Sequence, residues 1–88
     1  MYGCELRSSV EKTFFKLAKK DQNLLKKACE KIEEICSNPN HYKNLRYPLQ
    51  HLKRVYVGGS FVIVFLVDEA RKTIIIEDFD HHDNIYRK

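Results

Sequence analysis

Apolar and polar residues alternate with the period of helices in the first half of this 88-residue chain and with the period of strands in the second half. Two runs in which apolar residues recur every three or four positions predict two amphipathic helices that form a hairpin. Ser8, with Glu11 three residues later, is the predicted N-cap of the first helix, and Asp21 that of the second. Residues 2–7 alternate apolar and polar and predict a short, half-buried strand before the helices.

The second half of the chain contains three predicted strands, over residues 52–57, 61–67 and 73–79. Two short turns separate them, the first of which is Gly58-Gly59-Ser60, and this arrangement predicts an antiparallel meander. The middle strand is apolar throughout, so we expect it to be central in the sheet with both faces covered. One strand, a two-helix hairpin and a three-stranded meander packed on the helices predict an α+β fold of two layers, in a single domain over 1–88.

Composition narrows the class of protein. The chain is 43% hydrophobic and has three glycines and two prolines, which fits packed regular elements and excludes disordered or collagen-like chains. The longest apolar run, residues 61–67, is much shorter than the about 20 residues that a membrane-spanning helix needs. No apolar stretch that could act as a signal peptide follows Met1, so we expect a cytoplasmic protein with no membrane partner.

The three cysteines are predicted to be free. Cys29 and Cys36 lie seven positions apart on one predicted helix, which places their Cα atoms about 10.5 Å apart. A disulfide needs a separation below about 7 Å. Because Cys4, Cys29 and Cys36 all fall on apolar positions, we expect them to be buried thiols.

The net charge of +4 is concentrated in one segment of the chain. No Asp or Glu lies between Glu34 and Asp68, and the four cations of that stretch account for the whole excess. Tyrosines are interleaved with them, a combination that suits phosphate groups and unstacked bases. The alternative is a solvated basic loop followed by an ordinary strand. The residues concerned are Lys43, Arg46, Lys53, Arg54, Tyr42, Tyr47 and Tyr56, together with His41 and His51.

Strand register ranks these cations as phosphate ligands. The valines of the strand at 52–57 share one face, which should lie on the helices, so Arg54 and Tyr56 point to the opposite face. Arg54 is the preferred ligand, because a guanidinium group matches two phosphate oxygens. Lys53 falls on the valine side and ranks lower, whereas Arg46 can reach the same face from the preceding loop.

Three short motifs, in order, resemble those of the RelE/ParE superfamily of bacterial and archaeal toxins. Residues 45–49 are similar to the basic element before the second strand of that family, residues 54–58 to its "RVRVGDYR" stretch, and residues 80–87 to its closing "GHRxxVYR". Together with the order of the elements, the likeness covers nearly the whole chain. The closing segment is also similar to the YafQ-type ending "THxxLF", which places His82 at the catalytic histidine of that branch.

The chain departs from the family pattern where the family carries cations. Tyr56 stands at the second cation of "RVR", Val62 follows Phe61 where arginine is usual, and His82 stands at the arginine of "GHR". These departures leave the fold unaffected and leave open whether the chain has retained catalysis.

The resemblance implies a toxin that enters the ribosomal A site and cleaves mRNA by attack of a ribose 2′-OH on the adjacent phosphate, so that translation is repressed. It also implies a RelB-like antitoxin that covers the basic face in a hetero-oligomer. Such a reaction needs proton transfer and cations around the phosphate, with no metal or other cofactor. The alternative is a protein without chemistry, either a ParE-like gyrase inhibitor or a degenerate RelE homologue.

The candidate catalytic residues are Arg54, for the phosphate, and three residues of the chain's last segment. His82 is the preferred general acid or base, because imidazole titrates near neutrality, and His81 is the second choice. Tyr86 could stack on a splayed base or, alternatively, pack the chain end against the sheet. RNA contacts are predicted for Arg46, Lys53, Lys43, Tyr56, Tyr47 and Arg87.

The run Asp80-His81-His82-Asp83 also has the residue types of a metal site. Adjacent side chains of an extended chain point to opposite sides, so the two histidines would not easily share one ion. The sequence therefore predicts no metal site here.

Overall fold

The computed structural model describes residues 1–85, and its elements follow the predicted order. A 3₁₀ turn over Pro39–His41 and a short third helix are added to them. The strands are β1 (Gly3–Leu6), β2 (Lys53–Val57), β3 (Phe61–Asp68) and β4 (Thr73–His81), and the helices are α1 (Ser8–Lys20), α2 (Gln22–Ser37) and α3 (His82–Ile85). The predicted α+β architecture is confirmed.

The four strands form one sheet in the order β1-β4-β3-β2. The predicted meander is present, because β2 pairs with β3 and β3 with β4, both antiparallel. β1 pairs in parallel with β4, so that Cys4 lies opposite Ile74. The chain returns from β1 to the sheet only after both helices, and β3 and β4 become the two inner strands.

The two helix starts differ in how they are capped. Asp21 caps α2 as predicted, because its carboxylate accepts a hydrogen bond from the Leu24 backbone N–H at 3.1 Å. Ser8 is not the cap of α1. The Arg7 carbonyl accepts from the Glu11 N–H at 3.0 Å, so the helix begins one residue earlier than the capping box predicts, and no side chain caps it.

A single apolar core fills the space between the helices and one face of the sheet. Phe14 of α1 meets Phe79 of β4 edge-on, with ring centroids 5.3 Å apart. The buried members of this core are Val10, Ala28, Ile35 and Cys36 from the helices and Val57, Ile63, Phe65, Ile74, Ile76 and Phe79 from the sheet. Burial of this surface is the main source of stability for a domain of this size.

The opposite face of the sheet is also covered in part. Val62 and Val64 of β3 are buried there. Val64 lines a cavity of about 320 Å³ together with leucines of the 43–52 loop and Ile85 of α3, so the loop and the third helix lie over this face. The prediction that the middle strand has both faces covered is confirmed.

A β-bulge in β4 shifts the alternation of its side chains. Val64 pairs with Asp78 and Phe65 with Ile76, so Glu77 is an extra residue in the ladder. Ile76 and Phe79 consequently both face the helices, although they are three positions apart. Asp78 lies on the other face.

The cysteines are free, as predicted, but only Cys36 is buried. Cys4 and Cys29 are exposed, because β1 is an edge strand and Cys29 lies at the border of the apolar face of α2. Partial desolvation and the neighbouring Cys36 thiol raise the pKa of Cys4 to about 11. Within residues 1–85, no helix has the length and apolar character required to cross a membrane.

Candidate nucleic-acid interface

The loop before β2 folds back along the free edge of that strand. The Leu45 N–H donates to the Leu52 carbonyl at 2.8 Å, and the Arg54 N–H donates to the Lys43 carbonyl at 3.3 Å. A bridge between Asn44 and Lys53 continues the pairing. Lys43 and the residues after it are therefore held beside β2 by backbone contacts, which a reading of local periodicity could not reveal.

The Lys53 side chain connects the loop to β2 by hydrogen bonds. Its ammonium group donates to the Tyr42 carbonyl and to the Asn44 side-chain oxygen, both at 3.1 Å. Tyr42 in turn meets Phe65 edge-on with ring centroids 5.8 Å apart. Lys53 thus ties the loop to the sheet, on the side of the strand that the alternation predicts.

Three of the predicted RNA-contacting residues and the predicted phosphate ligand Arg54 line one groove of about 610 Å³ between the loop and β2. We call it the basic groove, and it is lined by Lys43, Asn44, Leu45, Arg46, Leu49, Arg54 and Tyr56. Arg54 and Tyr56 lie opposite Val64 and Val62 of β3, on the face turned away from the helices, as predicted. The Arg54 guanidinium carbon lies 5.7 Å from the centre of the Tyr56 ring.

In the part of the chain that the structure describes, no neighbouring carboxylate neutralises the cations of the basic groove. Lys43, Arg46 and Arg54 form no ion pair within 4 Å with any residue of 1–85. Their charge is available to an anionic ligand, and the guanidinium groups of Arg46 and Arg54 can bind two oxygens of a phosphate or a carboxylate.

Other predicted RNA-contacting residues lie elsewhere. Tyr47 is 86% exposed and does not line the groove. It precedes Pro48 through a cis peptide bond in the turn of the loop. Tyr86 and Arg87 lie outside the described residues.

His82 lies next to Tyr56 at one end of the Arg54–Tyr56 row. β4 ends at His81 and α3 begins with His82, whose backbone N–H donates to the Ser60 carbonyl at 2.9 Å. The His82 and Tyr56 ring centroids are 6.4 Å apart. The turn between β2 and β3 therefore positions the histidine, and Gly58 and Gly59 allow that turn with φ of 63° and 87°.

The expectation that His81 and His82 point away from each other is wrong. Their ring centroids are 4.5 Å apart, because the chain leaves the extended conformation after His81 and enters a helical turn. The Asp83 carboxylate lies between them, with one oxygen 3.6 Å from His81 Nδ1 and the other 3.4 Å from His82 Nε2. The sequence pattern did not predict that Asp83 contacts both histidines, although its place next to them was a signal.

The two nitrogens of His82 have different surroundings. Nδ1 is buried and has no hydrogen-bond partner among residues 1–85. Nε2 is the nitrogen beside Asp83. A proton that moves to or from this side chain would therefore move through Nε2, the nitrogen that the Asp83 carboxylate also faces.

Comparison with known proteins shows to which family the chain belongs. A family model described as the ParE toxin of the type II toxin–antitoxin system parDE matches residues 5–86. The chain belongs to this family of toxins. A protein of Methanocaldococcus jannaschii that is named as a toxin, RelE4, is 56% identical over 88 residues, which cover 100% of this chain and 94% of that protein.

Solved structures of such toxins share the fold. The toxin–antitoxin complex RelBE2 of Mycobacterium tuberculosis matches with a TM-score of 0.77 and 20% identity, over 91% of this chain and 96% of that one. The isolated Escherichia coli RelE toxin matches with a TM-score of 0.73 and 13% identity, over 99% and 98%. The chain is thus a RelE-like toxin of the toxin–antitoxin type in sequence family and in fold.

One departure of this toxin from the family motif has a structural reason. Val62, which replaces the expected arginine, is 0% exposed and pairs across the strands with Tyr56 and Asp80. An apolar side chain fits this covered position, and an unpaired guanidinium group would be costly there. The cations of the site are instead supplied by β2 and by the loop beside it.

Proposed function

We propose that this toxin is a ribosome-dependent mRNA endonuclease that represses translation in the cytoplasm, within a single domain over 1–88. The observation that supports it is the row of Arg54, Tyr56 and His82, in which a phosphate ligand and an aromatic ring of the basic groove are followed by a proton-transfer group beside that ring. Cleavage by 2′-OH attack needs these functions in one place.

Each residue of the row has a distinct role in the proposal. Arg54 holds the scissile phosphate through two of its oxygens and stabilises the charge that develops there. Tyr56 stacks on a base that has left its neighbours. His82 Nε2 takes the proton of the attacking 2′-OH as a general base and returns it to the leaving 5′-oxygen as a general acid, and the Asp83 carboxylate lies 3.4 Å from the same nitrogen. Lys43 and Arg46 attract the RNA backbone from the side of the loop, and Tyr86, Arg87 and His81 remain candidates from the sequence.

The partner we propose is a RelB-like antitoxin that covers the basic groove with an acidic segment and forms a hetero-oligomer with the toxin. Two features support it: the chain belongs to a toxin–antitoxin family, and its groove cations lack carboxylate partners within residues 1–85. An acidic segment would neutralise the same charges that bind RNA, so antitoxin and RNA would compete.

Mapping of mRNA ends by primer extension after induction of the toxin tests the proposal. The wild type should produce cuts within translated mRNA, and His82→Ala should reduce cutting by about 10²–10⁴-fold, the usual contribution of one proton-transfer group. His51→Ala, at an exposed histidine outside the groove, should cut like the wild type. Equal cutting by the wild type and His82→Ala would remove His82 from the mechanism.

A second candidate function is a ParE-like inhibitor of DNA gyrase that binds without chemistry. The family description and the replacement of two family arginines by Val62 and His82 favour it. A wild type that makes no cuts on ribosomes but blocks DNA supercoiling by gyrase would establish this function in place of the nuclease.

A further inference from the structure

The end of β4 and the start of α3 bring three metal-ligating side chains together. One ligand atom each from His81, His82 and Asp83 lies within 4.8 Å of the other two. All three side chains are at least partly accessible from solvent, so an ion could enter. The sequence-based reason for expecting no metal site, that the histidines diverge, does not hold in the structure.

The backbone around this cluster is fixed by several hydrogen bonds. The His82 N–H donates to Ser60 at 2.9 Å and the Asn84 side chain donates to Asp80 at 3.0 Å, and both bonds persist when an ion binds, whereas the bond from the Asp83 N–H to His81 Nδ1 at 3.2 Å is given up when that nitrogen becomes a ligand. The ligands are therefore held near one another before any ion arrives. Preorganisation of this kind favours metal binding, because little of the chain has to be ordered on binding.

The distances and donor types fit a first-row transition metal. Zn²⁺ binds imidazole nitrogen and carboxylate oxygen at roughly 2.0–2.2 Å, so neighbouring donors in a tetrahedral site lie about 3.4 Å apart. The carboxylate oxygens of Asp83 are 3.4 Å from His82 Nε2 and 3.6 Å from His81 Nδ1. Two imidazoles and one carboxylate leave a further position for water or a phosphate oxygen, and this donor set excludes a preference for Mg²⁺ or Ca²⁺.

We propose that His81, His82 and Asp83 form a binding site for a divalent first-row transition-metal ion, with Zn²⁺ as its representative. The ion occupies the His82 nitrogen that the proposed function assigns to proton transfer, so metal binding and cleavage exclude each other. That regulatory consequence rests on the proposed function, whereas the site itself does not.

Titration of the full-length toxin with ZnCl₂ in a calorimeter, and with Co²⁺ under visible spectroscopy, tests the site. We expect one ion per chain and cobalt bands of nitrogen and oxygen ligation. Asp83→Asn and His82→Asn should each weaken binding at least about tenfold, since even loss of a group that only supports a ligand costs 10–100-fold in affinity. His51→Asn is the matched control and should bind like the wild type.

Several outcomes would overturn the site. They are an absence of Zn²⁺ binding, equal affinity in the wild type and both ligand variants, and thiolate-to-cobalt charge-transfer bands, which would assign the ion to the cysteines. Circular dichroism checks that Asp83→Asn, a change at an exposed side chain, leaves the fold intact. Because binding is measured without ribosomes, a toxin that binds Zn²⁺ but cuts no mRNA would contradict the proposed function and leave the metal site standing.

Discussion

Exposed cations lie both in the turn between β3 and β4 and in the basic groove. The cations of the turn form ion pairs with carboxylates, and within residues 1–85 those of the groove do not. At the turn, Arg71 donates to Asp68 at 2.9 Å and lies 3.2 Å from Glu5, and Lys72 lies 3.4 Å from Glu69. These pairs lower the pKa of Asp68 and raise that of Arg71. Because positive and negative charges cancel locally, the electrostatic potential that the turn exerts on a distant ligand is small.

In the basic groove the cations have no such carboxylate partners among residues 1–85. The segment between Glu34 and Asp68 contains no acid at all, and its cations account for the net charge of the chain. From this difference we expect phosphate binding to depend on whether a cation is already paired rather than on the number of surface cations, because an unpaired cation attracts polyanions over a Debye length.

Neutralising two cations in each region is the strongest test of this contrast. Arg46→Gln with Arg54→Gln should greatly weaken binding to RNA or ribosomes, and the slope of log affinity against log salt should fall by roughly one for each lost phosphate contact. Binding is measured over a range of salt concentrations, with circular dichroism as a check of the fold.

The matched control is Arg71→Gln with Lys72→Gln, which changes the net charge by the same amount. It should leave the affinity for RNA and its salt slope close to those of the wild type. If both double variants lost affinity equally, net charge would govern binding, and the basic groove would have no special role.

A smaller effect is expected from the aromatic ring of the groove. Tyr56→Ala should weaken RNA binding by about 1–3 kcal/mol if the ring stacks on a base. Phe15→Ala is the control, because Phe15 is also exposed and also lies beside a cation, with Lys19 5.6 Å from its ring centre, but on α1. Equal losses in the two variants would contradict stacking in the groove.

The smallest effect concerns the paired region and depends on pH. The Asp68 carboxyl has a pKa below its ordinary value of 3.8, chiefly because the Arg71 side chain donates to it. A carboxyl with a lowered pKa stabilises the folded state above its ordinary pKa and loses that contribution as pH falls through the lowered value. Arg71→Ala should therefore lower Tm slightly at neutral pH, and the difference should shrink in acid.

Thermal unfolding of the wild type and Arg71→Ala, followed from neutral pH down to about pH 2, checks this prediction. The effect is small because both partners are exposed to solvent. A difference in Tm that grew as the pH fell would show that the pair acts through something other than the Asp68 charge.

The sequence predicted the elements whose pattern is local. The apolar stripes of α1 and α2, the capping role of Asp21 and the apolar run of β3 each depend on residues a few positions apart. The same holds for the direction of Arg54 and Tyr56, which follows from alternation along β2. These features needed no knowledge of which distant segment packs against which.

The features that the sequence did not predict depend on contacts between distant segments. The parallel pairing of β1 with β4 joins residues about 70 positions apart, and the exposure of Cys4 follows from it. The return of the loop along β2 leaves Tyr47 outside the groove, whereas the reach of Arg46 into it was predicted. The approach of His81 to His82 depends on where β4 ends, which is at His81. A run of polar residues does not specify the last residue of a strand, so the sequence could not predict this contact.

The bulge at Glu77 has a consequence for how the chain can evolve. Side chains of a strand point alternately to its two faces, and the extra residue reverses this alternation after Ile76. As a result Phe79 faces the helices and Asp80 faces away. A strand that kept Glu77 but paired without the bulge would direct Asp78 into the core and Phe79 out of it, whereas deletion of Glu77 would leave both side chains on their present faces. A single-residue insertion or deletion elsewhere in the last strand would therefore need the gain or loss of such a bulge to keep Phe79 in the core, whereas point substitutions on the polar face are far less constrained.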